Sequence, residues 1–348
     1  CVNFTVLYDK QKSIECQPET RYKLTIRETG ETTMELHKEN CRRKITENKL
    51  QEESCQDMIV EIVEIGIMKS NEIRKGGFNL KATVLVDNIG TEIATGEWGL
   101  SIYIEQAGKN ILLDTGASNR FLVNAKALEK DIGAVDYGVL SHAHYDHANG
   151  MQAFFEENEN AKFYLQKGTG ENCYFKKWFI HKYIGIPKHI LTRQKDRIEY
   201  VTGKYKLYEN VYLIPHTTKG LETIGAANKM YIRDGRRWRP DDFAHEQSLV
   251  IEEEDGLIIF NSCSHGGADN IINEVSKLFE KPAKMMIGGF HIFQKGETEI
   301  RQLAEKIKET GVKKIYTGHC TGGRAFRILQ QELGDMVEQL KVGLVIEA

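Results

Sequence analysis

Beyond residue 77 the chain alternates between two hydrophobic periods. The runs FNLKATVLVDN, GLSIYIEQAGKNILLDTG, YGVLSH, GLIIFNS, KMMIGG, KKIYTGH and LKVGLVIE predict strands, the second a hairpin turning at Gly108, Lys109 and Asn110. Between them, apolar residues recur at helical spacing. In SNRFLVNAKALEKDIG, Ser118 can cap a helix whose stripe is Phe121, Leu122, Ala125 and Leu128 and which Gly133 ends. MQAFFEE and AFRILQQELG also predict helices, as does DNIINEVSKLFEK, with Ile271, Ile272, Val275, Leu278 and Phe279 on one side. EIRQLAEKIKETG turns Ile300, Leu303, Ala304 and Ile307 inward. Strand-rich stretches flanking β-α alternation predict an α/β sandwich with helices on its outer faces. His, Cys or Gly follows each later strand end, where ligands collect in α/β sheets.

Residues 1–77 read differently, with dense charge and frequent turns. VNFTVLY, YKLTI and TMELH are candidate short strands of a small α+β appendage, MIVEIVEIGIM is ambiguous between strand and helix, and Gly76-Gly77 is a plausible joint. The expected domains are therefore 1–77, of unassigned role, and 78–348.

Bulk properties narrow the function classes. The 348 residues are 41% hydrophobic and 28% charged, a globular composition. The net charge of −3 gives no electrostatic reason to expect nucleic acid or an anionic membrane as partner. No apolar run approaches the roughly 20 residues of a membrane span. CVNFTVLYDK is not a basic start followed by an apolar core, so a cytoplasmic location is expected, with the seven cysteines as ordinary reduced thiols. A small-molecule substrate is the expected partner, and a homo-oligomer stays open.

The chemistry concentrates in SHAHYDHANG, residues 141–150. His142, His144, Asp146 and His147 put four metal-ligand side chains into six residues, after an apolar strand. Unpaired buried imidazoles and carboxylates are costly, so chance clustering is a poor account of them. His142 and His144 can converge on one ion, and Asp146 and His147 can face a second about 3.5–4 Å away. Nitrogen ligands with a carboxylate suit zinc, and also iron or manganese.

The motif H-x-H-x-D-H after an apolar strand, with LLDTG upstream, resembles the metallo-β-lactamase fold of metal-dependent hydrolases, over about residues 78–348. Within that superfamily the chain is most similar to the dihydropterin-phosphate synthase-like group, whose archaeal members are linked to methanopterin biosynthesis. The matching pieces are GLSIYIE, LLDTGAS, VLSHAHYDHANG, DDFAHEQSLV, NSCSHGG, GGFHIF and YTGHCTGG. The resemblance implies a four-layer αββα sandwich holding two divalent metal ions, zinc first. It also implies two more ligands: His265 completing the site of His142 and His144, and His319 completing that of Asp146 and His147. Many members have an aspartate bridging the two metals. No aspartate occurs between 270 and 318, so Cys263, Asp269 or water alone would bridge.

The implied activity is metal-dependent hydrolysis by a metal-activated water, with Asp146 orienting it, on a small, phosphorylated or pterin-like substrate. Thioester hydrolysis, sulfur dioxygenation and a non-catalytic metal-binding interaction module are the alternatives. Asp114 is expected to orient a ligand histidine. His291 is divided between substrate contact and a satisfied histidine, and His245, beside Glu246, is read similarly. His216 is a loop residue near the mouth, or an additional ligand. Cys320 is read as an inert thiol; His37, His181 and His189 as structural or surface residues. Aromatic and basic residues in 164–240, among them Tyr174, Trp178, Phe179 and Trp238 with Lys176 and Arg237, would suit a flat or anionic ligand at the mouth, or form a solvated face with its own small core.

Overall fold

The computed structural model describes residues 80–348 and, before them, the antiparallel backbone pair β1 (Ile14–Glu15) and β2 (Arg21–Tyr22). The chain divides into two units, Cys1–Gly76 and Gly77–Ala348. The other expectations for the N-terminal segment, with Cys1, Cys16, Cys41, Cys55 and His37, lie outside the described residues.

The larger unit begins with β3 (Lys81–Val86), β4 (Ser101–Gln106), β5 (Lys109–Leu113), α1 (Arg120–Ala127), β6 (Tyr137–Val139), α2 (Tyr145–Ala148), α3 (Met151–Glu157) and β7 (Lys162–Gln166). It continues through β8 (Cys173–Lys177), β9 (Ile180–Tyr183), α4 (Ile190–Arg193), β10 (Ile198–Val201), β11 (Tyr205–Tyr208), β12 (Val211–Pro215), α5 (Leu221–Ala227), β13 (Met230–Asp234) and β14 (Arg237–Pro240). It closes with β15 (Gln247–Glu252), β16 (Leu257–Phe260), α6 (Ala268–Phe279), β17 (Ala283–Gly288), α7 (Glu297–Thr310), β18 (Lys314–Thr317), α8 (Gly323–Leu333), β19 (Val337–Gln339) and β20 (Val345–Glu347).

Two seven-stranded sheets result, ordered β10-β7-β6-β5-β4-β3-β20 and β11-β12-β15-β16-β17-β18-β19. Alternation along the strands builds the layers. Val84, Ile104, Ile258 and Phe260 meet in the core shared by the two sheets. Their neighbours face outward: Leu85 packs with Phe121 and Phe154 of α1 and α3, while Leu257 and Ile259 pack with Ile271, Ile300 and Leu329 of α6, α7 and α8. The architecture is the expected helix–sheet–sheet–helix sandwich.

Several local expectations are corrected. The β4–β5 turn falls at Ala107 and Gly108, both at positive φ, because Lys109 already pairs with Gln106. Helix α1 stops at Ala127, well before Gly133, where Glu129 turns left-handed; Ser118 still accepts the Arg120 N–H, at 3.1 Å. Leu278 is exposed rather than inward. The C-terminal segment supplies two strands: β19 parallel to β18, and β20 antiparallel to β3 in the other sheet. Residues 164–240 do not form one insert. β10, β11 and β12 join the main sheets, and only β8, β9, β13 and β14 make a sheet of their own, ordered β14-β13-β8-β9. Among the described residues no helix is long and apolar enough to cross a membrane.

Candidate metal centre

The parallel pairs β5–β6 and β16–β17–β18 deliver the chemistry, because their carboxyl ends open onto one cavity. Asp114 follows β5, residues 141–147 follow β6, Asn261–His265 follow β16, His291 follows β17 and His319 follows β18. The sharp exits use left-handed backbone at Asp114, Ser264, His291 and His319, all at positive φ.

Asp114 is fully buried and organises the first loop. Its Oδ1 accepts the Ser141 N–H and its Oδ2 accepts the Ser141 hydroxyl, both at 2.7 Å; Oδ2 also lies 2.8 Å from His147 Nδ1. A carboxylate only accepts, so Nδ1 of His147 carries a proton and Nε2 is the nitrogen facing His319. Ser141 Oγ, its hydrogen spent on Asp114, then accepts from His142 Nδ1 at 2.9 Å, which leaves Nε2 of His142 bare. Asp114 thus contacts His147 directly and His142 through Ser141. His319 is held alike: Asn88 Oδ1 lies 3.3 Å from its Nδ1, and Asp87 Oδ2 accepts its peptide N–H at 2.8 Å.

The six expected ligands come together. The ligand atoms of His142, His144 and His265 lie within 4.8 Å of one another. His147 Nε2 and His319 Nε2 are 3.1 Å apart, and His319 Nε2 is 3.5 Å from Asp146 Oδ2. That carboxylate oxygen accepts the Trp98 indole N–H at 2.8 Å. His142 Nε2, His144 Nε2 and both ring nitrogens of His265 are buried with no protein partner. Orphaned buried nitrogens converging at ligand distances are the arrangement a cation satisfies, so the donor set of His142, His144 and His265 fits a divalent ion.

The electrostatics agree. Burial, reinforced by neighbouring histidines, pushes His142 and His265 well below the usual histidine range and His144 down to about 3, keeping them neutral as ligands must be. Burial opposes charge on Asp146, yet His147 and His319 hold its carboxyl below the ordinary range. His319 is also opposed by burial but is pushed up to about 9, chiefly by Cys320 and Asp146. A cation between them would take the place of that proton.

Of the two bridge candidates, Cys263 is the closer to the histidines. Its Sγ is 3.3 Å from His147 Nε2 and within 4.8 Å of the His142 ligand atom. Asp269 sits in the first turn of α6 with its carboxylate against Gly267. His216 turns away: its Nε2 is 2.9 Å from the Asn261 amide and 3.4 Å from Glu246 Oε1. His291 lines the cavity with its ring 4.4 Å from that of His265 and its Nδ1 unpartnered. His245 is a satisfied histidine, taking the Ala143 N–H on Nδ1 and lying 3.2 Å from Asp241 Oδ2 through Nε2.

Sequence reasoning missed Asp87, Asn88, Trp98, Ser141 and Asp241. Asp241 Oδ2 lies 4.0 Å from His144 Nε2. Their signals were faint: a polar pair ending VLVDN, a tryptophan between glycines in GEWG, and a serine hidden by the histidines after it. The cavity has a volume of about 480 Å³, with Trp98, Phe175 and Phe293 on its walls, Lys295 at its side and Cys263 and Cys320 against it. Phe175 is on β8, so the separate four-stranded sheet contributes a wall, whereas Trp178 and Phe179 at its hairpin tip are each 82% exposed.

Comparison with known proteins agrees with this geometry. The profile of the metallo-beta-lactamase superfamily matches residues 95–272. A Methanocaldococcus jannaschii protein named 7,8-dihydropterin-6-methyl-4-(beta-D-ribofuranosyl)-aminobenzene-5'-phosphate synthase is 29% identical over 271 residues, 72% of this chain and 89% of its own. An uncharacterized protein of the same organism is 29% identical over 252 residues, 71% of this chain and 93% of its own. The crystal structure of Tm1679, described as a metal-dependent hydrolase of the beta-lactamase superfamily, superposes with a TM-score of 0.66 at 27% identity, covering 77% of this chain and 99% of that one. Such proteins bind divalent metal ions, often zinc, and are mostly metal-dependent hydrolases. The chain belongs to the metallo-beta-lactamase superfamily.

Proposed function

We propose that the protein is a hydrolase with a binuclear zinc centre, acting on a small, phosphorylated or pterin-like molecule. One site is His142, His144 and His265; the other is Asp146, His147 and His319, with Cys263 between them. The observation that carries the reading is the 3.1 Å approach of His147 Nε2 to His319 Nε2, while Asp114 and Asn88 face their other ring nitrogens. A proton held on His319 links the two nitrogens in the metal-free protein, and a cation would take its place between them.

When bound, the ions would supply Lewis acidity and a water acidic enough to ionise near neutral pH. The protein's own contribution is positional. Asp114 and Ser141 fix the tautomers of His147 and His142. Trp98 holds one oxygen of Asp146, which would orient the attacking water and relay its proton. The aromatic walls Trp98, Phe175 and Phe293 suit a flat ring, and Lys295 an anionic group, which accords with the pterin and phosphate in the relative's name. Three protein ligands to each ion would leave coordination positions open, which favours catalysis over a closed structural site. We further propose a cytoplasmic enzyme with a small-molecule partner, no nucleic acid and no membrane; the free thiols of Cys173, Cys263 and Cys320 accord with a reducing compartment.

The test is elemental analysis of protein purified without chelator, alongside His265→Ala and His319→Ala. The expected content is two metals per chain, with a loss in each variant; unchanged content in both sinks the ligand assignment. Metal-replete protein is then assayed on phosphoester, thioester and lactone panels. No turnover on any of them, together with binding to a macromolecular partner, would favour the interaction module.

A further inference from the structure

Two thiols stand at the floor of the cavity and the proposed hydrolysis uses only one of them. Cys263 follows β16 and Cys320 follows β18, yet their loops meet across the end of β17, placing the two Sγ atoms 3.3 Å apart. Both side chains are buried, at 3% and 1% exposure, and both line the cavity, so a small solute reaches them while a protein does not. The loop after β17 is shaped around the second sulfur. The His291 N–H points at Cys320 Sγ from 3.2 Å, and a Cβ on Gly289 would come within 2.5 Å of it. The third described thiol, Cys173, is grouped instead with His144, Asp241 and His245.

We infer that Cys263 and Cys320 are a reversible disulfide site, closed by a small peroxide and coupled to metal occupancy of the adjoining centre. Bond formation needs the sulfurs to close from 3.3 Å to about 2.05 Å, within reach of side-chain rotation and a small loop shift. The step balances. One sulfur attacks the O–O bond of hydrogen peroxide, becoming a sulfenic acid and releasing one water. The other sulfur displaces the sulfenic oxygen, which leaves as a second water, and the S–S bond forms. The two thiols give up two protons and two electrons, and the peroxide takes both. Coupling follows from place: Cys263 Sγ is 3.3 Å from His147 Nε2, and a sulfur committed to Cys320 offers no thiolate there. Closure lowers metal occupancy, and bound metal protects the thiols. The coupling rests on the metal reading above; the disulfide does not.

The experiment treats full-length protein, metal-free and zinc-loaded, with hydrogen peroxide, and follows free thiols and linked tryptic peptides. Mapping is essential, because Cys1, Cys16, Cys41 and Cys55 are also in the chain. The expected product of the metal-free protein is a peptide joining Cys263 to Cys320, lighter by two hydrogens and reopened by a dithiol reductant. Cys320→Ser abolishes it and leaves a sulfenic acid on Cys263 that dimedone traps, while Cys173→Ser leaves the link intact. Metal-free wild type that forms no such peptide, or whose sulfurs advance to sulfinic acid unlinked, overturns the disulfide. Equal rates of linking with and without bound zinc overturn the coupling. Wild type that takes up no zinc refutes the metal reading, and with it the coupling, while the linked peptide still decides the disulfide.

Discussion

Asp114→Asn tests how the centre is held together, because it changes charge and hydrogen count but hardly changes shape. Three donors converge on this buried carboxylate: the Ser141 N–H, the Ser141 hydroxyl and His147 Nδ1, at 2.7, 2.7 and 2.8 Å. An asparagine has one accepting oxygen. If that oxygen serves the Ser141 peptide, the amide NH₂ faces the hydroxyl and the imidazole. His147 must then move its proton to Nε2, the nitrogen that faces His319 at 3.1 Å. If the amide flips, its NH₂ meets the Ser141 N–H head on. Either way a charge-assisted bond worth about 1.5–3 kcal/mol is lost between fully buried groups. Losing the partner that orients a ligand histidine lowers metal affinity by about 10–100-fold.

The consequence spreads to both ions, because Ser141 passes the constraint on. Its hydroxyl, freed from Asp114, can turn to donate to His142 Nδ1, which selects the wrong tautomer of that ring too. Ser141→Ala, by contrast, removes only the His142 contact and one of the three donors, so it weakens one ion by a smaller factor. Competition titration of zinc against a chromophoric chelator, resolved into two steps, reads both effects. The reasoning is refuted if Asp114→Asn binds both equivalents with wild-type affinity, or if Ser141→Ala is the more damaging change.

Three further outcomes follow from the same geometry. In metal-free protein, His144 titrates at about 3 when folded against 6.5 unfolded, and His142 and His265 are lowered in the same direction. Between those values the unfolded chain binds more protons, so stability falls as pH drops from about 6.5 toward 3, by up to about 1.4 kcal/mol per pH unit for each histidine; flat denaturant midpoints over that window would contradict this. His319, raised to about 9, acts oppositely, its contribution being present below 6.5 and lost as pH rises through 9. Trp98→Phe takes the donor from Asp146 Oδ2 and is expected to cut kcat about tenfold, with the aromatic wall and KM little changed. Gly288→Ala places a Cβ 1.9 Å from the Asn261 carbonyl oxygen at φ +139°, which is expected to cost about 3 kcal/mol or more in chemical denaturation; a wild-type midpoint would show that β17 can yield there.

What the amino-acid string made legible was what short stretches could carry. His142, His144, Asp146 and His147 advertise themselves because a single loop holds all four. The layered sandwich could be read from strand-rich stretches flanking β-α alternation, whereas Val84 and Leu85, or Ile258 and Ile259, are apolar on both faces and only the structure shows which of each pair meets the other sheet. What stayed hidden depends on separation. Asn88 and His319 are 231 positions apart, and they meet because the loop leaving β3 in one sheet is hydrogen-bonded to the loop leaving β18 in the other. LKVGLVIE carries only β20, at its end, and the three-residue β19 that precedes it is too short to mark a hydrophobic period. Glu129 ended α1 early through a left-handed turn that its residue type does not announce. The same limit governs the cysteines. Cys263 and Cys320 are 57 positions apart in separate motifs, each with an ordinary local explanation, and only the parallel register of β16, β17 and β18 sets their sulfurs side by side. Ligand identity was therefore a local property of this chain, whereas the constraint that makes those ligands one centre is a property of strand order.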